Sequence, residues 1–396
     1  MLELALFGKP NSGKSSFFKA ATMIDVKISP IPFTTIKPNE GVCHVIVDCV
    51  EKDFNVKCRP NHGKCENGKR FIPVKLWDVA GLVPDAHLGK GMGTAFLDDV
   101  RQASALIHIV DASGQTDAEG KPATDYDPSK DIEFLEKEID LWFESVIERS
   151  LRKFEKELAK AGKADLLEIF SEQLTGLKIK RSHVEKVLSG MKIEKFDLKD
   201  KEKILAFARE LRRASKPIVI AANKIDLSKA QDNFEVLKQK YSSTIPIIPT
   251  SAEAEIALKK ADEKGLVDYL PGNSFTTIAN ADEQQQKALE YIKLRILGRY
   301  GSTGVQQCLN KAVFELLDNI VVYPVADLNK LSDKDGNVLP DAFIVPRGTT
   351  VKELAALVHT ELAEKFICGV DARTKRRLAA DYQLKNNDVI EIMFAK

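Results

Sequence analysis

The chain has 396 residues, more than one ordinary domain holds, which implies two or three. Hydrophobic residues make up 44%, enough for a sizeable core, and 59 Lys+Arg nearly cancel 58 Asp+Glu, so net charge gives no sign of nucleic-acid binding and any basic surface must be local. No apolar run approaches the length of a membrane span, and six cysteines are too few for a secreted disulfide scaffold.

The chain opens on Met-Leu-Glu-Leu-Ala-Leu-Phe-Gly. There is no basic stretch before its apolar residues, which run straight into a Gly-rich motif, so the start reads as a buried strand and not a signal peptide. A soluble, cytoplasmic protein without membrane contact is expected, and a monomer. Short apolar runs at 2–7, 73–77, 105–110, 216–221 and 245–248 read as buried strands ending in polar loops, with helical stretches between them. That alternation predicts an α/β fold with a doubly wound, mostly parallel sheet. From 128 to 214 the rhythm breaks. Ile132, Leu135, Ile139, Trp142 and Val146 recur at helical steps after the start signal Asp127-Pro128-Ser129, and another helix is expected over 200–213. This predicts a helical insertion forming an antiparallel coiled hairpin. Residues 275–320 read as a helical connector. From 321 onward strand, strand, amphipathic helix (351–366) and strand follow in about 75 residues, which resembles a ubiquitin-like β-grasp module. The expected domains are therefore 1–127 with 215–274 (the α/β domain), 128–214, 275–320 and 321–396.

Gly8-Lys9-Pro10-Asn11-Ser12-Gly13-Lys14-Ser15 fits G-x-x-x-x-G-K-[ST] completely, between a strand and a helical run that begins at Ser16. Glycines let successive backbone N–H groups point at phosphates, and the following helix N-terminus favours negative charge. The Lys14 ammonium suits the β and γ phosphates, and the Ser15 hydroxyl is a hard oxygen ligand for Mg²⁺. Asp78-Val79-Ala80-Gly81 ends a strand about sixty residues on. An Asp there helps hold Mg²⁺, and the Gly amide senses the γ-phosphate. Leu82 stands where a glutamine would orient water, so turnover should be slow or water must be placed by another group. Downstream, His87 lies in a loop with three alternating glycines; it reads as an exposed loop histidine or as the polar group that orients water. Thr35, with Thr34 as the alternative, is the candidate to complete the Mg²⁺ shell from the loop Pro32-Phe33-Thr34-Thr35.

Asn223-Lys224-Ile225-Asp226 ends the run 216–221. The Asp226 carboxylate can accept from guanine N1–H and the 2-amino group, whereas adenine offers neither donor and leaves the charge unpaired. Lys224 can lie over the base and Asn223 can brace neighbouring loops. The backbone of Thr250-Ser251-Ala252-Glu253 can meet the guanine O6. The expected activity is Mg²⁺-dependent hydrolysis of GTP to GDP and phosphate, with Lys14, Thr35 and Gly81 serving the reaction.

Together these motifs resemble the Obg-related GTPases, within them the YchF-like branch. The likeness is carried by residues 8–15, by Pro32-Phe-Thr-Thr-Ile-Lys-Pro-Asn-Glu40, by Asp78-Val-Ala-Gly-Leu-Val83 and by 223–226. The hydrophobic Leu82, the helical insertion and a C-terminal TGS domain agree with it. The resemblance implies a nucleotide switch with slow turnover, potassium assistance and association with the ribosome or structured RNA. Best-known YchF members carry an altered base motif that accepts ATP; here Asp226 is intact, so guanine is expected. The alternatives are an ATPase on this fold and an RNA-binding adaptor whose nucleotide is structural.

Two features fall outside these motifs. Cys43, Cys49, Cys58 and Cys65 lie close in sequence, the first two expected on one face of a strand, and four soft ligands could hold Zn²⁺. Their spacing fits no familiar zinc module, so unliganded thiols or a Cys58–Cys65 disulfide are preferred and zinc is not expected. Arg373, Lys375, Arg376 and Arg377 form a basic cluster that reads either as a phosphate-contacting patch or as a solvated turn.

Overall fold

The structure, a computed structural model, describes residues 1–25, 39–82, 84–85, 100–279 and 281–395. Thr34, Thr35 and His87 lie outside them. The strands are β1 (Glu3–Phe7), β2 (Asn39–Asp48), β3 (Lys64–Glu66), β4 (Lys69–Asp78), β5 (Ala105–Asp111), β6 (Ile218–Asn223), β7 (Ile247–Pro249), β8 (Val267–Tyr269), β9 (Phe275–Thr277), β10 (Asn319–Val325), β11 (Phe343–Pro346), β12 (Phe366–Asp371), β13 (Arg377–Leu378) and β14 (Asp388–Phe394). Packing divides the chain into two compact units, 3–41 with 75–308, and 1–2 with 42–74 and 309–396. Residues 42–74 thus fold with the C-terminal residues, although they are remote from them in sequence.

The larger unit is built on parallel strands in the order β4-β1-β5-β6-β7. β5 and β6 are buried along their whole length, which is why both read as unbroken apolar runs. The register pairs Leu6 with Asp78, Phe7 with His108, Asp111 with Asn223 and Ala222 with Pro249. Because every strand runs the same way, the segments that follow Phe7, Asp78, Asp111, Asn223 and Pro249 all emerge at the carboxyl edge, where open α/β sheets hold their ligands.

The insertion has two long antiparallel helices, Ser129–Leu151 and Lys201–Ser215, paired by Glu136–Arg212, Asp140–Arg212 and Glu148–Lys201. Arg212 and Asp140 are buried, 2.9 Å apart. It is not a bare hairpin. Helices Lys163–Gln173 and Arg181–Gly190 close over it, and Phe170, Phe196 and Phe207 meet with ring centroids 5.0 to 5.1 Å apart. One hydrophobic core runs from Ala5, Phe7 and Leu106 of the sheet through Ile139 and Phe143 to those three rings. The expected all-helical stretch 275–320 begins instead with β9, which pairs antiparallel with β8.

In the smaller unit, β3 pairs antiparallel with β4, and five strands run in the order β11-β10-β14-β12-β13. β10 and β14 are parallel and the other pairings antiparallel, as the β-grasp reading requires. The helix Val351–Val358 packs Val351, Leu354 and Ala355 onto Ile320, Val322 and Ile390. It starts at a capping box between Thr350 and Glu353. The single helix expected over 351–366 is interrupted at His359, whose extended backbone (φ −164°) separates a second short helix, Thr360–Glu364, and Phe366 already belongs to β12.

Candidate functional site

The phosphate-loop motif leaves β1 at Gly8 and ends in the helix Lys14–Thr22. Two of its residues must be glycine. At Gly8 (φ +155°) a Cβ would lie 2.4 Å from the Ile109 carbonyl oxygen, and at Gly13 (φ +95°) it would lie 2.2 Å from Asn223 Nδ2. The Asn223 amide donates to the Ser12 carbonyl at 3.1 Å, and its Oδ1 accepts from the Ala252 N–H at 3.2 Å. One side chain therefore ties the loop after β1 to the loop after β7.

Lys224 adds a second tie. Its ammonium donates to the Asn11 carbonyl and pairs with Asp111, each at 2.8 Å. Asp111 is fixed in turn by the hydroxyls of Ser113 (2.5 Å) and Thr116 (2.7 Å). Lys224 and these hydroxyls hold its carboxyl below the usual range against the opposing effect of burial. Asp226 accepts from the Ser251 hydroxyl at 2.6 Å, and the Tyr291 hydroxyl donates to the Asp226 carbonyl at 2.6 Å. Ser251 also caps the helix Ala252–Glu263, which carries Glu253 in its first turn.

Ser15 donates to Asp78 Oδ2 at 2.9 Å. Burial raises the Asp78 carboxyl, while nearby Lys14 and Ser15 favour its charged form. Lys14 is nearly buried and donates to the Lys9 carbonyl at 2.7 Å. Burial lowers its ammonium to about 8, with the Asp78 charge opposing the shift. The Ser12 hydroxyl is buried without a hydrogen-bond partner among the described residues. Glycine-shaped backbone, an orphaned hydroxyl, one ammonium and the paired oxygens of Ser15 and Asp78 fit a polyphosphate and a hard divalent cation.

Three placements go beyond the motif. The Lys9 side chain does not belong to this set; it is fully buried, 2.8 Å from Asp131, donating to the Thr116 carbonyl and lying 4.2 Å from the Tyr126 ring centroid. Only its backbone remains for a ligand. Gly81 packs against Pro10, where a Cβ would meet the ring at 3.1 Å, and Leu82 N–H donates to the Gly8 carbonyl at 3.1 Å. Leu82 itself is 1% exposed and part of the hydrophobic core, so its side chain serves packing. The segment Gly114–Tyr126 covers the loop from its other side: Asn11 donates to the Gly120 carbonyl at 2.9 Å. Asp111, Thr116, Tyr126 and Asp131 were not anticipated as site supports.

Of the four cysteines, the structure gathers three. The sulfurs of Cys49, Cys58 and Cys65 lie within 4.8 Å of one another and of a Glu51 carboxylate oxygen. Cys43 is buried on β2 and outside this group, whereas Cys49 follows the end of that strand, so the expected shared face does not exist. In the basic cluster, Arg373 pairs with Asp53 at 2.7 Å and stacks over Phe54, while Arg376 and Arg377 are exposed.

With this geometry in place, comparison with known proteins is decisive. Residues 3–137 match the family described as 50S ribosome-binding GTPase, 221–327 the Obg-like GTPase YGR210-like G4 motif-containing domain, and 334–394 the TGS domain. A GTP-binding protein of Methanocaldococcus jannaschii is 48% identical over 398 residues, covering all of both chains. The chain is an Obg-like GTPase of the YchF-like branch. Among solved relatives of this GTPase, a GTP-binding protein from Pyrococcus horikoshii superposes with a TM-score of 0.79 at 38% identity over the full length of both. The Pasteurella multocida protein named ribosome-binding ATPase YchF is 26% identical over 98% of each chain.

The Gly13–Asn223 contact makes a prediction about this Obg-like GTPase. Gly13→Ala should destabilise the larger unit by about 1–3 kcal/mol, because it forces both a strained φ and a clash. Asn223→Ala in the same chain should recover part of that loss, a coupling of about 0.5–3 kcal/mol in a denaturant double-mutant cycle. Strict additivity would contradict the contact.

Proposed function

We propose that this Obg-like GTPase hydrolyses GTP to GDP and phosphate with Mg²⁺ and works as a nucleotide switch on the ribosome or a structured RNA. The observation that supports this best is the double tie of the base motif to the phosphate loop through Asn223 and Lys224. In this reading the amides from Gly8 to Ser16 cradle the phosphates, and Lys14 stabilises charge on the β and γ groups. Ser15 and Asp78 would hold Mg²⁺, with Thr35 as a further oxygen donor, and a bound ion there would supply charge neutralisation for the phosphate oxygens. Asp226 exchanges its bond from Ser251 for the two guanine donors, and the Ser251–Glu253 backbone meets O6. The switch role assigns γ-phosphate sensing to Thr35 and Gly81. The relative named an ATPase raises an adenine reading, and the intact Asp226 carboxylate favours guanine.

The buried Leu82 supports slow turnover and gives weight to a second reading, an adaptor with a structural nucleotide. Single-turnover hydrolysis with Mg²⁺, with and without potassium and ribosomes, separates the two. GTP that stays intact under every condition removes the enzyme reading. The exposed Arg376 and Arg377 suit RNA phosphates, so loss of Mg²⁺-GTP-dependent ribosome co-sedimentation on replacing both with Glu is the expected result.

Two predictions test the site directly. Asp226→Asn should weaken GTP by about 100-fold, because two bonds to a charged acceptor are lost. It should strengthen xanthosine triphosphate, whose 2-oxo group accepts from the new amide; fluorescence competition measures both. For pH, free Lys14 is half neutral near pH 8 and a bound triphosphate restores its charge, so binding takes up protons there. Affinity should therefore fall as pH rises above 8, and calorimetry at pH 8 in buffers of different ionisation enthalpy should show uptake of up to about half a proton.

A further inference from the structure

In the smaller unit three thiols and one carboxylate converge from three separate pieces of chain. Cys49 precedes the short helix Glu51–Phe54, Cys58 lies in the following loop, and Cys65 sits on β3. All four donor atoms lie within 4.8 Å of one another, and the Cys49 and Cys58 sulfurs are 3.8 Å apart. A tetrahedral zinc ion with bonds of about 2.3 Å holds its sulfurs about 3.8 Å apart, whereas a disulfide needs about 2.05 Å. Glu51 is already oriented, its Oε2 accepting from the Cys58 N–H at 3.0 Å.

The surroundings point the same way, independently of the donors. Arg70 lies opposite Cys65 in the β3–β4 ladder and is 1% exposed. Its two terminal nitrogens donate to the carbonyls of Leu339 and Pro340, its Nε has no hydrogen-bond partner, and no carboxylate pairs with it among the described residues. Tyr323 is fully buried, its hydroxyl has no hydrogen-bond partner among the described residues, and it lies close enough to interact electrostatically with Arg70 and with all three thiols. A buried guanidinium with no carboxylate partner and a buried hydroxyl with no acceptor among the described residues, beside one cluster of thiols, is a costly arrangement. Three thiolates and a carboxylate around a divalent ion carry a net charge of −2, which Arg70 offsets and toward which the Tyr323 hydroxyl can donate.

We propose that Cys49, Glu51, Cys58 and Cys65 form a closed, structural zinc site. Soft thiolates completed by one carboxylate suit Zn²⁺ better than the hard cation of the nucleotide site. His62, the remaining conventional ligand in the loop, is excluded because it is 76% exposed and its Nδ1 is 2.8 Å from Asp341. The ion staples the Glu51 helix, the Cys58 loop and the β3–β4 hairpin. That block also seats the C-terminal β-grasp segment, since Arg59 and Asn61 N–H groups donate to the Val338 and Pro340 carbonyls at 2.8 Å. The site replaces the metal-free or disulfide-bonded cysteines expected from sequence, with Glu51 in the place of Cys43.

The test is metal analysis of the untagged full-length chain purified without chelator. One zinc per chain is expected, kept in Cys43→Ser and lost in Cys58→Ser with Cys65→Ser. Cobalt(II) substitution should give tetrahedral ligand-field and thiolate charge-transfer absorption, which Glu51→Gln shifts. Chelation should lower the thermal midpoint of the unmodified chain and leave that of the double Ser variant unchanged. Guanine nucleotide affinity, measured alongside, reports the other unit, so failure of the zinc site and failure of the nucleotide reading are told apart. Reactive thiols with no bound metal, or a mass deficit of two hydrogens that marks a Cys58–Cys65 disulfide, would overturn the proposal. An unchanged cobalt spectrum in Glu51→Gln would overturn the four-ligand assignment.

Discussion

The Asn223 carboxamide is the interaction on which the nucleotide site depends. It donates to the Ser12 carbonyl and accepts from the Ala252 N–H, so the phosphate-loop motif after β1 and the loop after β7 are held by one side chain. The parallel register makes this contact possible, because Asn223 ends β6 beside Asp111 at the end of β5, two strands from the loop that leaves β1. Gly13 follows from the same contact, since any side chain there would occupy the space of Nδ2. The phosphate-loop motif and the Asn-Lys-x-Asp motif are consequently one mechanical unit rather than two adjacent segments.

Much of that unit was legible in the sequence, for a physical reason. A phosphate loop, a strand-end Asp-x-x-Gly and an Asn-Lys-x-Asp each need particular residue types at fixed local spacing, so each is written within a few positions. The parallel sheet was legible because doubly covered strands are apolar throughout. What stayed hidden depends on contacts between distant positions. Nothing local marks Lys9 as the partner of Asp131, 122 residues away on the first helix of the insertion, yet that buried pair fixes the backbone on which Lys14 rests. Asp111 likewise looks like an ordinary strand end until Lys224 is seen to reach it. The break at His359 and the strand β12 were hidden because Val351–Phe366 has continuous helical periodicity, and tertiary pairing of Phe366–Asp371 with β14 overrides it.

The cysteines show the same limit from the other side. Spacing singled out four thiols, and folding keeps three, exchanging Cys43 on β2 for Glu51 on the next helix. Only the fold reveals that Arg70 and Tyr323 are buried near that group, each with an atom that finds no hydrogen-bond partner among the described residues. Leu82 belongs with these cases. Its residue type alone suggests a missing catalytic glutamine, and its place in the core explains why the position is hydrophobic at all.

In the function proposed above, a single braced site grips a triphosphate and selects guanine through Asp226. Competition of GTP against ATP for the full-length chain in Mg²⁺, read by displacement of a fluorescent nucleotide, tests it most directly. GTP should displace the probe at concentrations about 100-fold lower than ATP or better, as expected where a mismatched base leaves a carboxylate unpaired. Equal displacement by the two nucleotides would contradict it.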